Sequence, residues 1–178
     1  MRATNLTLLT DLYELTMMQG YFKNPTDQVV VFDAFYRHNP CDGGYAIAAG
    51  LEQIIEYVRD LHFHPDDIDY LRTLGIFDTD FLEYLRGFHF TGDIYAIPEG
   101  TVVFPREPLL KVVAPVMEAQ LLETAILNIL NHQSLIATKA SRVVYAAKGD
   151  GIMEFGLRRA QGPDAGIYGA RAAMIGGC

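Results

Sequence analysis

The sequence is poor in cysteine, in basic residues and in long apolar runs, and each shortage excludes a class of protein. Its two cysteines, Cys41 and Cys178, are too few for a disulfide framework and have no metal-ligand spacing. With 14 lysines and arginines against 22 acidic residues, the net charge of -8 argues against a nucleic-acid partner. No apolar run approaches the roughly 20 residues of a membrane span, and the first five residues lack the apolar stretch of a signal peptide. We therefore expect a soluble, cytoplasmic protein without a membrane partner.

Half of the 178 residues are hydrophobic, which suffices for one substantial core. Asp11, with Glu14 three residues later, predicts a helix that starts as a capping box and ends at Asn24-Pro25. β-branched and aromatic runs between turn residues predict strands at 29–36, 45–49, 94–97, 101–104 and 109–113. Further helices are predicted at 51–61, near Pro65, near Thr79, and over 116–148 with a break near Asn131-His132. We interpret residues 1–148 as an α+β domain.

A β/α pattern begins only after residue 148. Gly149-Asp-Gly151 predicts a turn, Ile152-Met153 predicts a strand, and the small apolar residues of 165–175 predict a buried helix, with a polar loop before it. This order predicts that residues 149–178 start an α/β barrel. Loops at the carboxyl ends of such strands are where sites are built.

The polar loop carries the residues that suggest chemistry. Phe155 offers a flat apolar face, and Arg158 and Arg159 offer forked cationic donors that fit carboxylate or phosphate. This combination suits a flat aromatic acid or a phosphorylated sugar. The alternative, from the residues alone, is a surface loop whose arginines form salt bridges.

Two segments, and four blocks between them, resemble the nicotinate phosphoribosyltransferase family. The segments are Leu8-Leu-Thr-Asp-Leu-Tyr-Glu-Leu-Thr-Met-Met-Gln-Gly-Tyr-Phe22 and Glu154-Phe-Gly-Leu-Arg-Arg-Ala-Gln-Gly-Pro-Asp-Ala-Gly166. The blocks, in the family's order, are Phe35–Pro40, Gly43–Leu51, Pro98–Pro105 and Leu121–Asn128. The resemblance implies the type II phosphoribosyltransferase architecture, in which an α+β N-terminal domain leads into an α/β barrel. Because family members are more than twice this length, we expect an N-terminal fragment that is inactive alone.

The resemblance also implies the reaction. Nicotinate and 5-phosphoribosyl 1-diphosphate would give nicotinate mononucleotide and diphosphate, the first step of NAD salvage from nicotinate, with ATP as co-substrate. Mg²⁺ is expected with the diphosphate substrate. The alternatives are a nicotinamide- or quinolinate-specific relative and a non-catalytic fragment that retains the dimer surface.

Three residues take binding roles from the resemblance, and Arg159 and Asp11 are two further candidates. In the family, the tyrosine of the Asp-Leu-Tyr motif reaches into the neighbouring subunit's site of a homodimer and stacks on the pyridine ring, and that role falls on Tyr13. Phe155 and Arg158 match the family's stacking aromatic and its base-contacting arginine, whereas Arg159 faces either phosphate or solvent. The alternatives are a half-buried aromatic for Tyr13 and a core aromatic for Phe155. Asp11 either orients substrate or caps its helix.

Three further cations are candidates for contacts with anionic substrate groups. The resemblance suggests that Arg37 donates a phosphate contact across the dimer, and the alternative is an exposed charge. Lys139 and Arg142 either line the anionic pocket or belong to the solvated face of their helix. No histidine receives a catalytic role, because the family's phosphate-accepting histidine belongs to a barrel strand beyond Cys178.

Overall fold

The computed structural model describes residues 5–25 and 28–178. Their helices are α1 (Leu12–Lys23), α2 (Leu51–Arg59), α3 (Pro65–Thr73), α4 (Thr79–Arg86), α5 (Val116–Leu121), α6 (Glu123–Ala146) and α7 (Pro163–Ile175). Their strands are β1 (Val29–Phe35), β2 (Ala46–Ile47), β3 (Asp93–Ala96), β4 (Val102–Val103) and β5 (Pro108–Pro115). One sheet has the strand order β1-β5-β3, and the other pairs β2 with β4 in antiparallel register, with Ala46 opposite Val103. The α+β class predicted for residues 1–148 is confirmed over the residues that the structure describes there.

The chain divides into two compact units. The first comprises Met1–Phe32, Ile54–Ile94 and Val112–Ala125. The second comprises Asp33–Gln53, Tyr95–Lys111 and Ile126–Cys178.

The core of the first unit is helical. Helix α1 packs on α5, and α3 packs on α4. Their apolar stripes supply the fully buried side chains Met18, Ile68, Leu71, Phe81, Leu82 and Leu85. Each buried side chain of this size stabilises the fold by about 1.5–3 kcal/mol relative to an exposed one.

In the second unit, the segment that contains β2 separates two apolar clusters. Successive side chains of a strand point to opposite faces. Ala46 and Ala48 accordingly contribute to a cluster with Val103 and Leu109. Ile47 and Ala49 contribute to the other cluster, with Ala137 of α6 and Ala172 of α7. Small residues on both helices leave room for this close packing.

Two predictions about local structure are wrong. The long helical segment breaks at Leu122, between α5 and α6, and not near Asn131-His132. Helix α6 continues through that pair because its apolar face continues, with Ile129 and Leu130 buried before it and Ala137 buried after it. No strand forms at Ile152-Met153, where Met153 is 85 % exposed. A strand needs a hydrogen-bonding neighbour, and the described residues provide none at this position.

Helix α7 begins at Pro163, two residues before the predicted start. Proline suits the first turn of a helix because its missing N–H has no intrahelical acceptor there. The barrel that residues 149–178 were predicted to start, and a domain boundary at residue 148, stay predictions. None of the helices that the structure describes has the length and apolarity needed to cross a bilayer.

Candidate functional site

The arginine loop, residues 154–162, joins an irregular segment to α7. The Glu154 carboxylate accepts the N–H of Gly156, and a single 3-10 turn follows at Leu157–Arg159. Gly162 then reverses the chain with φ +101°, a backbone conformation that favours glycine, and α7 starts at the next residue. The loop therefore holds its side chains on a short, turn-rich backbone ahead of a helix N-terminus.

Phe155 and Arg158 lie against each other on this loop. The Arg158 guanidinium carbon is 4.9 Å from the centroid of the Phe155 ring, within the range of a cation–π interaction. Phe155 is 72 % exposed, so it lies outside the core that the described residues form, and its stacking role stays a prediction. Within residues 5–25 and 28–178, no carboxylate lies within ion-pair distance of Arg158 or Arg159. The salt-bridge alternative therefore has no partner in this part of the chain.

Arg159 is directed to a different place. It lines a cleft of about 400 Å³. The other lining residues come from the arginine loop, α6 and α7, and they are His132, Ile136, Glu154, Gly156, Leu157, Ala160, Gln161, Ala165, Gly166 and Gly169. His132 Nε2 lies 3.3 Å from the carbonyl oxygen of Ala165, which accepts a hydrogen bond from it. The two adjacent arginines thus serve different surfaces, Arg158 the Phe155 ring and Arg159 the cleft.

Leu157 seats the loop on α7 through a glycine. A Cβ on Gly166 would lie 2.4 Å from Leu157 Cδ1, so any larger residue there would displace the Leu157 side chain. The loop is consequently fixed to the first turns of α7 by its own apolar side chain.

Tyr13 belongs to the first unit, as the second residue of α1, and it is 47 % exposed. Partial desolvation and the neighbouring carboxylates of Glu123 and Glu14 raise the pKa of its phenol. The phenol therefore stays protonated at neutral pH and presents a neutral ring. Tyr13 and the Phe155–Arg158 pair belong to different units, and the stacking role stays a prediction.

Asp11 does not cap α1 with its side chain, so the predicted capping box is wrong. Its carboxylate accepts the Thr124 hydroxyl at 3.1 Å instead. Glu14, which would complete a capping box, points inward and accepts the hydroxyls of Thr10 and Thr124. Burial is the main reason that the pKa of Glu14 is raised. The role of Asp11 toward substrate stays a prediction.

The three further cations differ in their surroundings. Arg37, two residues after β1, and Lys139, on α6, are exposed. Arg142 is half-buried and donates from Nη2 to the carbonyl oxygens of Pro40 and Tyr45, at 3.1 and 3.2 Å. For Arg142 the alternative of a solvated helix face is therefore wrong, because its guanidinium holds the backbone that leads into β2. Contacts of all three with substrate stay predictions.

One polar network was not found from the sequence. Arg171 on α7 donates to both carboxylate oxygens of Glu99, with distances of 2.9 and 2.6 Å, and also to Glu52 and Gln133. Burial alone would raise the pKa of Glu99, but hydrogen bonds from Arg171 and from the Gly50 N–H outweigh it and hold the pKa below its ordinary value. The available signal was a single charged residue in the small, apolar helix 165–175.

The comparisons with known proteins agree on one family. Residues 8–131 match the nicotinate phosphoribosyltransferase N-terminal domain. The chain is 47 % identical over 174 residues to a nicotinate phosphoribosyltransferase of Bacillus subtilis, an alignment that covers 97 % of this chain and 36 % of the relative. It is 46 % identical over 170 residues to a nicotinate phosphoribosyltransferase of Mycobacterium tuberculosis, covering 96 % of this chain and 37 % of that one.

A solved structure gives the same result. The crystal structure of human nicotinic acid phosphoribosyltransferase matches with a TM-score of 0.86 at 37 % identity, covering 95 % of this chain and 35 % of the human chain. The chain thus spans roughly a third of the length of the curated relatives that it matches.

Proposed function

This chain belongs to the nicotinate phosphoribosyltransferase family, and we propose that it supplies the base-binding part of an enzyme that joins nicotinate to 5-phosphoribosyl 1-diphosphate. The products are nicotinate mononucleotide and diphosphate, in the first step of NAD salvage from nicotinate. The observation that carries the proposal is the exposed Phe155 ring with the Arg158 guanidinium beside it, which has no ion-pair partner in the part of the chain that the structure describes. A flat ring that bears a carboxylate fits such a pair.

Nicotinate binding divides into stacking and charge recognition. Phe155 offers ring surface to one face of the pyridine, and Tyr13 of a second subunit offers its ring to the other face. Each aromatic pair contributes about 0.5–1.5 kcal/mol beyond the area that it buries. Arg158 meets the carboxylate, and this contact separates nicotinate from nicotinamide, which carries a neutral amide at the same place.

The transfer step requires positioned anions. The pyridine nitrogen forms a bond to the anomeric carbon while the bond from that carbon to the diphosphate oxygen breaks, and the electron pair leaves with diphosphate. Positive charge develops at the anomeric carbon, so the site must align both partners and exclude water. The proposed contacts to phosphate groups are Arg37, Lys139, Arg142 and Arg159. Asp11 is proposed to orient the substrate.

In this proposal, Mg²⁺ is bound by the diphosphate substrate. The structure, over the residues that it describes, has no group of three or more His, Cys, Asp or Glu side chains that could hold a metal ion. Mg²⁺ is proposed to arrive with the diphosphate, because the diphosphate oxygens are hard ligands suited to it. The proposal has four further parts. The reaction is coupled to ATP hydrolysis, and the enzyme is a cytoplasmic homodimer with shared sites. The 178-residue chain alone is inactive.

The test of the shared site is complementation in the full-length enzyme. Tyr13→Ala and Arg158→Ala subunits are mixed, allowed to exchange, and assayed for nicotinate mononucleotide formation. If Tyr13 acts in the neighbouring subunit's site, each hybrid dimer has one site that carries neither lesion. Random pairing makes half of the dimers hybrid, so about a quarter of the wild-type activity is expected.

Each variant alone, taken through the same exchange, is the control and should keep its own low activity. Hybrid dimers that form without gaining activity would place both residues in one chain's site. A wild-type enzyme that prefers nicotinamide or quinolinate to nicotinate would overturn the substrate assignment.

A further inference from the structure

Glu14 is a buried carboxylate next to the proposed ring-stacking residue. Its side chain is 0 % exposed, whereas Tyr13, the residue before it on α1, is 47 % exposed. In the described ranges 5–25 and 28–178, no Lys, Arg or His lies within ion-pair distance of Glu14. Burying an unpaired carboxylate is costly, so this residue needs a reason to be where it is.

Two hydroxyl groups hold the Glu14 carboxylate in place. Thr124, the second residue of α6, donates to Glu14 Oε1 at 2.7 Å, and Thr10, in the segment before α1, donates to Oε2. The same Thr124 hydroxyl lies 3.1 Å from Asp11 Oδ2. Glu14 therefore joins three pieces of backbone, namely the segment before α1, the first turn of α1 and the first turn of α6.

The neighbouring residue on α6 acts on the neighbouring residue on α1 through its charge. Partial desolvation and the Glu123 carboxylate raise the pKa of the Tyr13 phenol. The hydrogen bond from Thr124 to Glu14 is the contact that fixes the first turn of α1 on α6.

Tyr57 adds a second cost at the same place. Its hydroxyl is buried and has no hydrogen-bond partner among residues 5–25 and 28–178. Burial and the nearby negative charge of Glu14 raise the pKa of this phenol. An apolar residue at position 14 would avoid the cost of burying an unpaired carboxylate, although the Tyr57 hydroxyl would still lack a partner among the described residues.

We propose that Glu14 is the positioning residue of Tyr13, an inference that rests on the proposed role of Tyr13 in stacking on nicotinate. By accepting the hydroxyls of Thr10 and Thr124, the carboxylate sets the rotation of the first turn of α1. That rotation sets the direction in which the exposed Tyr13 ring leaves the helix. Loss of the carboxylate misaligns the ring without removing it.

The test uses the full-length enzyme and separates substrate affinity from turnover and from stability. Tyr13→Ala removes one stacking face and should raise the KM for nicotinate by about 2- to 13-fold. Glu14→Ala and Thr124→Val should each raise the same KM by up to that amount, with the KM for 5-phosphoribosyl 1-diphosphate unchanged. Glu14→Gln should keep most of the affinity, because its amide oxygen still accepts the Thr124 hydroxyl.

A double-substitution cycle shows whether Glu14 acts through Tyr13. The Tyr13→Ala/Glu14→Ala enzyme should have the same KM for nicotinate as Tyr13→Ala alone, since the ring that Glu14 positions is already absent. Effects of the two substitutions that multiply would overturn the positioning role. Thr124→Val, which leaves the carboxylate in place, keeps the test decisive if Glu14→Ala does not fold.

The outcomes distinguish failure of this inference from failure of the proposed function. If Tyr13→Ala leaves the KM for nicotinate unchanged, the stacking role itself is wrong. If Tyr13→Ala raises that KM while Glu14→Ala and Thr124→Val lower only the thermal midpoint, Tyr13 binds nicotinate and Glu14 is purely structural.

Discussion

Arg158 is the residue whose substitution tests the candidate site most directly. In the full-length enzyme, Arg158→Ala should weaken nicotinate far more than nicotinamide, because only nicotinate carries a carboxylate for the guanidinium. The measurement is kcat/KM for both substrates at saturating 5-phosphoribosyl 1-diphosphate. The quantity compared is the ratio of the two values.

The magnitude follows from two contacts. Loss of a charge-assisted hydrogen bond costs about 1.5–3 kcal/mol, which corresponds to roughly 10- to 150-fold for nicotinate. The Arg158 guanidinium also lies 4.9 Å from the Phe155 ring centroid, and an exposed cation–π contact contributes about 0.5–1 kcal/mol. Losing this second contact disturbs Phe155 for both substrates alike, by about 2- to 5-fold. The selectivity ratio should therefore fall by roughly 10- to 150-fold.

Arg159→Ala is the matched control, since it removes the same charge from the adjacent residue, which lines the cleft rather than the Phe155 ring. It should leave the ratio near that of the wild type. Arg158→Lys should recover only part of the selectivity, because an ammonium group lacks the planar fork. Equal weakening of both substrates by Arg158→Ala, or an equal loss of selectivity in the control, would refute the carboxylate contact.

Two further predictions concern the supporting structure. Gly43→Ala should destabilise the fold by about 1–3 kcal/mol in thermal or urea denaturation, because its Cβ would lie 1.7 Å from Arg142 Nη2 and displace the guanidinium. A Cβ at Gly44 would have no neighbour within 4 Å, so Gly44→Ala should leave the stability nearly unchanged. Equal losses of stability in the two variants would contradict the proposed clash with Arg142. The lowered pKa of Glu99 means that its stabilisation is present above the ordinary value of 4.5 and is lost as pH falls through the lower folded-state value. Glu99→Gln should therefore reduce the fall of the thermal midpoint as the pH drops below 4.5. A variant whose thermal midpoint falls as steeply as that of the wild type would argue against this role of Glu99.

Local pattern was enough for most helices. Leucine and isoleucine spacing predicted a helix at 51–61, and α2 runs over Leu51–Arg59. The prediction of which side of α2 faces the core was less accurate, since Tyr57 is buried and Ile55 is 39 % exposed. Both residues are large and apolar, and only the packing partners decide which of them turns inward. Sequence spacing therefore fixes a helix more firmly than its rotation.

The predicted strand at Ile152-Met153 shows what local pattern cannot supply. An amphipathic helix satisfies its own backbone, whereas a strand depends on a neighbour for every hydrogen bond. That information is not contained in the two residues themselves. The apolar pair fitted a buried strand, but Met153 is 85 % exposed in the structure.

The site residues also differ in whether local sequence could predict their contacts. Phe155 and Arg158 lie three positions apart, so one loop brings them together, and their pairing was open to prediction. Glu14 meets Thr124 across 110 positions of sequence, and Arg171 meets Glu99 across 72. Neither distant pair touches a proposed substrate, yet each fixes an element that carries a proposed contact, α1 with Tyr13 and α7 with the arginine loop. Phe155 and Arg158 come from one short segment, whereas Tyr13 lies far from them in sequence and the contacts of Glu14 and Arg171 are supplied by the fold. A search for determinants of affinity in this family should therefore extend to buried polar pairs that are distant in sequence.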